Sequence, residues 1–145
     1  HLALESAAVS KLVLIDALCM KVSEPFGKLL ARVAREDLRR LLQREIPEDV
    51  AKDYVRTNLP KTGKLGKIVK TVKKCVENAE PDMSCYTKPT LVIWADGDTT
   101  LPLSYGRAVA KTIPSAKLKV VAGDHLYCIN NPQKISSYVQ HFSQN

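Results

Sequence analysis

The stretch from Lys88 to Pro132, KPTLVIWADGDTTLPLSYGRAVAKTIPSAKLKVVAGDHLYCINNP, constrains the fold of this chain more than any other. Thr90 to Trp94 is an unbroken apolar and β-branched run, the pattern of a strand buried on both faces of a parallel sheet. Asp96-Gly97-Asp98 ends it. Ser104 is placed to cap a helix in which Tyr105, Ala108, Val109 and Ile113 recur at helical spacing until Pro114 stops it. Leu118 to Ala122 then reads as a second strand. Two strands joined by one helix make a βαβ unit, so they run parallel and their carboxyl ends share one edge of the sheet. Open α/β sheets bind ligands at that edge.

Asp98 and His125 each fall a few residues beyond such a strand end. Neighbouring strands lie about 4.8 Å apart, so a carboxylate to imidazole hydrogen bond is within easy reach. A histidine whose Nδ1 proton is held by a buried carboxylate is fixed in one tautomer and accepts a proton at Nε2, which activates a hydroxyl or thiol nucleophile. On spacing alone the same residues also fit a turn former and a loop histidine satisfied by backbone. The wider pattern favours chemistry. Trp-Ala-Asp-Gly-Asp-Thr-Thr-Leu-Pro at 94 to 102, Ala-Gly-Asp-His-Leu at 122 to 126 and Asn-Asn-Pro at 130 to 132 together resemble the carboxy-terminal half of an α/β-hydrolase. In that family the turn after strand seven carries the acid and the turn after strand eight the histidine, so the resemblance implies Asp98 as acid and His125 as base. Ala95 and Asp124 stand where the family often has glycine; Asp124 adds a charge beside His125 that favours the imidazolium.

The opening residues, His1-Leu-Ala-Leu-Glu-Ser-Ala-Ala, read as the interior and end of a helix, and Val9 to Asp16 as another short buried strand. They resemble the segment that follows the nucleophile elbow of the same family. The elbow motif needs glycines four apart around a serine, and the six glycines here, at 27, 63, 66, 97, 106 and 123, include no such pair. The nucleophile is therefore expected a few residues before His1. Asp16 also follows a strand end; it is either an alternative acid or, more simply, a turn or capping residue.

Residues 18 to 86 replace the strand and helix alternation with helical patterns alone. Phe26, Leu29, Leu30, Val33, Leu38, Leu41 and Leu42 suggest one apolar stripe ending at Ile46-Pro47. A second helix opens at Pro47 and ends near Pro60, and Leu65, Ile68, Val69, Val72 and Val76 form a third stripe. This insertion resembles the cap of α/β-hydrolases. Charge concentrates in it: from 28 to 74, fourteen Lys or Arg face six Asp or Glu, a surplus of eight, against minus one in the remainder of a chain of net charge +7. Lys61, Lys64, Lys67, Lys70, Lys73 and Lys74 lie opposite the third apolar stripe, as a solvated helix face does. The stripe lacks interleaved aromatics, which favours the solvated face over a nucleic-acid partner; a basic module that contacts nucleic acid or an anionic membrane through residues 56 to 74 is the third reading. A final helix is expected from Asn131-Pro132, with Ile135, Tyr138, Val139 and Phe142 as its apolar face.

The expected fold is α/β, a partial α/β-hydrolase sheet comprising parallel strands 6 to 8. Its divisions are core residues 1 to 17, a helical cap at 18 to 86 and core residues 87 to 145. Nothing in the sequence is long and apolar enough to span a membrane. Cys19, Cys75, Cys85 and Cys128 lack metal-ligand spacing and read as free thiols in a reducing cytoplasm, although Cys75 and Cys85 can bridge in an oxidising compartment. Cys128, three residues after His125, fits a small packed residue better than a nucleophile. No metal or cofactor is expected. The resemblance implies a hydrolase of a small ester, amide or related substrate, with the amino-terminal half of the hydrolase domain, from the same gene or a companion chain, as its structural partner. The alternative is a non-catalytic binding member of the same fold, or an inactive fragment.

Overall fold

Six consecutive residues, Thr90 to Ala95, have no exposed face, so the strand they form must lie between two others and between two layers of helix. The computed structural model describes residues 6–17, 19, 24–43, 52, 70, 73–74 and 83–144. Strands β1 (Leu12–Ile15), β2 (Thr90–Ala95) and β3 (Ala116–Val121) form a parallel sheet in the order β1-β2-β3. The described helices are α1 (Phe26–Leu42), α2 (Leu103–Thr112), α3 (Tyr127–Asn130) and α4 (Pro132–Gln144), with one 3-10 turn at Met83–Cys85. The chain divides into two compact units, one of His1–Met20 with Glu80–Asn145 and one of Lys21–Ala79.

In the first unit the period of two along β2 distributes its side chains to two layers. Leu91, Ile93 and Ala95 join Val121 and Tyr127 in a core cluster, which Val13 and Ile15 of β1 and Ile135, Tyr138 and Phe142 of α4 complete. Trp94 belongs to the opposite face and meets α2, where Gly106 lets the helix backbone approach the indole. A Cβ at Gly106 would stand 2.5 Å from the Trp94 ring. Trp94, Ile93 and Val92 are fully buried, each contributing about 1.5–3 kcal/mol or more of transfer free energy. Lys11 caps the far end of α4: its Nζ donates to the carbonyls of Phe142 (3.0 Å) and Ser143 (2.8 Å), satisfying acceptors that a helix terminus leaves open. Lys117 and Lys119 occupy the core-side face of β3, with the Lys119 ammonium 5.0 Å from the Tyr138 ring.

Several boundaries differ from the sequence expectation. β1 is shorter than Val9 to Asp16, because its ladder starts only where Leu12 N–H reaches the Pro89 carbonyl at 3.0 Å. β3 begins at Ala116, two residues early, because Ala116 is the register partner of Thr90. Ser104 does not cap α2. The helix starts at Leu103 with Pro102 at its N-cap position, and the Pro102 carbonyl accepts from Tyr105 N–H at 2.8 Å.

In the second unit, the single apolar stripe expected along α1 is two faces. Leu29, Glu36 and Arg40 are buried, at 6%, 9% and 3% exposure, whereas Leu38 and Leu42 are 56% and 75% exposed. At about 100° per residue, Leu29, Val33, Glu36 and Arg40 share one side and Leu38 stands opposite. The buried charges are tolerated because they are paired: Glu36 Oε1 accepts from Arg39 at 2.7 Å and lies 3.5 Å from Arg40 Nε. The second and third helical stripes fall outside the described residues, as do Lys61, Lys64 and Lys67; Lys70, Lys73 and Lys74 are exposed.

Gly106→Ala should lower stability by about 1–3 kcal/mol through overpacking against Trp94. Urea denaturation followed by Trp94 fluorescence reads this directly; an unchanged midpoint would show that the indole yields without cost.

Candidate active site

The parallel register sets the ends of all three strands on one edge: Ile15 pairs with Ile93, and Ala95 with Val121. The turns that follow β2 and β3 are then joined by backbone. Asp96 N–H donates to the Val121 carbonyl (2.9 Å), and Gly97 N–H to the Gly123 carbonyl (2.8 Å). Gly123 N–H donates back to Asp96 Oδ1 at 3.1 Å. A Cβ on Gly97 would sit 2.7 Å from the Gly123 oxygen, so only glycine allows this approach.

Asp98 leaves the first turn pointing into the protein, its side chain fully buried. Its Oδ1 accepts two backbone hydrogen bonds, from Thr100 N–H at 2.8 Å and Leu101 N–H at 2.7 Å. Its Oδ2 lies 2.7 Å from His125 Nδ1. The loop is held from below by Trp94, whose Nε1–H donates to the Leu101 carbonyl at 2.8 Å. With Nδ1 occupied by a carboxylate, the ring carries its proton there and leaves Nε2 as the basic nitrogen. His125 is 29% exposed, so Asp98 is shielded from water and the imidazole is only partly so.

His125 owes its position to the turn after β3. Asp124 Oδ1 accepts from Leu126 N–H (3.0 Å) and the Asp124 carbonyl from Tyr127 N–H (3.0 Å), which starts the short helix α3 directly behind the histidine. A Cβ at Gly123 would lie 2.7 Å from the Tyr127 ring. Sequence reading carried the turn straight to Asn131 and missed α3, because four residues leave no periodicity to detect.

Asp16 is the third acid at this edge. It has a φ of 42°, in the left-handed region that Asp tolerates better than most residues. Its Oδ1 accepts from Ala95 N–H at 3.2 Å, tying the end of β1 to the end of β2. One carboxylate oxygen each of Asp16 and Asp98 and a ring nitrogen of His125 lie within 4.8 Å of one another, and hydrogen bonds engage both Asp98 oxygens. Burial, the largest cause, raises the Asp16 pKa from 3.8 to about 6; the Ala95 amide lowers it, Asp98 raises it, His125 lowers it and Asp124 raises it. Asp16 thus sits in the turn after β1 and beside both Asp98 and His125. Its strand end was visible in sequence, but its neighbour was not, because sheet order is a long-range property.

Cys19, Cys85 and Cys128 are free thiols, and Cys75 is outside the described residues. A cavity of 440 Å³ lined by Leu91, Lys117, Lys119, Tyr138, His141 and Phe142 lies toward the starts of the strands, away from Asp98 and His125. Among the described residues no helix is long and apolar enough to cross a membrane.

Solved structures share this architecture. The chain is similar to the meta-cleavage product hydrolase of Pseudomonas fluorescens IP01, with a TM-score of 0.69 and 16% identity over 98% of this chain and 58% of that one. The enol-lactonase of Burkholderia xenovorans LB400 is similar at a TM-score of 0.63 and 18% identity, over 99% of this chain and 60% of that one. An esterase from Exiguobacterium antarcticum gives a TM-score of 0.63 and 15% identity, over 94% and 57% respectively. No family model matches the sequence, and no curated protein matches it. The chain has the α/β-hydrolase fold, and it spans less than two thirds of the length of each of these three proteins.

Because Asp16 binds its proton more tightly folded than unfolded, its contribution to stability is complete below the ordinary value of 3.8 and is lost as the pH rises through about 6. Solvent screening of this half-buried group limits the loss to about 1 kcal/mol. Asp16→Asn should remove the step, leaving the variant more stable than wild type above pH 6 by about that amount. Urea midpoints measured on either side of the transition test this; parallel pH profiles for the two proteins would refute it.

Proposed function

We propose that Asp98 and His125 are the acid and base of a hydrolase acting on a small ester, amide or related substrate. The observation that carries the reading is the 2.7 Å contact between a fully buried carboxylate and a partly exposed imidazole at the carboxyl edge of a parallel sheet. An isolated turn former would not need its second oxygen aimed at a histidine from the next strand. The esterase and lactonase among similar structures support the class of reaction without choosing a substrate.

In this mechanism His125 Nε2 takes the proton of a serine hydroxyl as its oxygen attacks the substrate carbonyl, and then gives that proton to the leaving group. Water repeats the cycle to release the acyl group. Asp98 keeps Nδ1 protonated and steadies the imidazolium, and the Thr100 and Leu101 amides keep the carboxylate from rotating away. The nucleophile is not among these residues under this reading; it is supplied by the amino-terminal part of the hydrolase domain. The helical segment at 18 to 86 is assigned the role of cap, which selects substrate.

His125→Ala in the intact protein should reduce kcat/KM about a thousandfold or more, and Asp98→Asn should cost a comparable factor. A fluorophosphonate probe should label a serine in the wild-type protein. Full turnover by the His125 variant would exclude the mechanism, and absence of both labelling and turnover would leave a ligand-binding protein of the same fold.

A further inference from the structure

Three strand ends meet at the site, and the mechanism above uses two. Asp98 accepts two backbone amides on one oxygen and faces the imidazole with the other. Asp16 has a single backbone donor, Ala95 N–H, that fixes its carboxyl group at the same edge within 4.8 Å of both partners. Burial, first, and the neighbouring Asp98 carboxylate, to a smaller extent, favour the protonated form of Asp16, whose titration falls near pH 6. The charged or titratable groups acting on it are Asp98 from the turn after β2 and His125 and Asp124 from the turn after β3; β1 itself, Leu-Val-Leu-Ile, contributes none.

We propose that Asp16 is a second positioning carboxylate for His125, silent while protonated and adding a second negative neighbour to the imidazolium once it ionises. The inference rests on the assignment of Asp98 and His125 as acid and base. The proton released by Asp16 goes to solvent, and no bond to substrate is involved. Below the transition His125 depends on Asp98 alone. Above it, two carboxylates stabilise the charge that the ring acquires when it takes the nucleophile's proton, so the base is strongest where Asp16 is ionised. Attraction is mutual: the same interaction by which His125 lowers the Asp16 pKa must favour protonated His125 when Asp16 is charged.

Asp16→Asn is a nearly isosteric test. The amide oxygen can still accept from Ala95 N–H, and asparagine tolerates the positive φ. In the intact protein, the imidazole resonances of His125 should be followed by NMR through the acid-to-neutral range. Wild type should show a secondary inflection near pH 6. Asp16→Asn should erase it and move the half-titration of His125 to lower pH, and Asp16→Glu should restore part of both effects. The kcat/KM of Asp16→Asn should match wild type at low pH and fall about three- to tenfold above the transition. Superimposable His125 titrations in wild type and Asp16→Asn would overturn the proposal even where His125→Ala abolishes turnover. Coupled titrations together with full activity of His125→Ala would instead overturn the hydrolase mechanism, and with it the role in catalysis, while upholding the Asp16 to His125 interaction.

Discussion

The candidate site depends on a contact that involves no reactive group: the 2.8 Å hydrogen bond from Gly97 N–H to the Gly123 carbonyl. Strand register brings the ends of β2 and β3 to the same edge, but the turns beyond them have no ladder to hold them. This bond and the Gly123 amide on Asp96 supply one. Only then does a carboxylate leaving the first turn meet an imidazole leaving the second at 2.7 Å. The two acids of the Asp-Gly-Asp turn therefore divide their work. Asp96, exposed, ties the turns together, and Asp98, buried, faces the histidine.

Beneath the turns, packing transmits rigidity to the site. Trp94 is held against α2 by the bare backbone at Gly106, and its indole N–H holds the Leu101 carbonyl. Leu101 N–H in turn donates to Asp98. A fully buried aromatic ring and a buried carboxylate are thus linked through one residue. The orientation of Asp98 is consequently a property of the core, and it does not rest on a surface loop alone.

What was legible in the sequence followed from local chemistry. β2 is continuous apolar sequence, and Asp98 and His125 each follow a strand with glycine nearby, so their positions could be read and their meeting anticipated from strand spacing. The start of α2 was misread because the amides before it are held by Asp98, six residues upstream of Ser104, and not by the hydroxyl that normally signals a cap. α1 was misread for a different reason. Leucines stand on both sides of that helix, and the buried side includes Glu36 and Arg40, whose pairing no hydropathy pattern reveals. The environment of Asp16 required knowing that β1 adjoins β2, a fact carried by no single segment.

Lys117 and Lys119 give the sheet a direction of growth. β3 presents ammonium groups on the face that its neighbours devote to apolar contacts, the Lys119 ammonium standing over the Tyr138 ring. A further strand beside β3 would lie next to those charges, whereas β1, Leu12 to Ile15, carries apolar side chains alone. Under the proposed reading, the β1 margin is the one that adjoins the remainder of the hydrolase sheet. The lysines thus make β3 the charged margin of the described sheet.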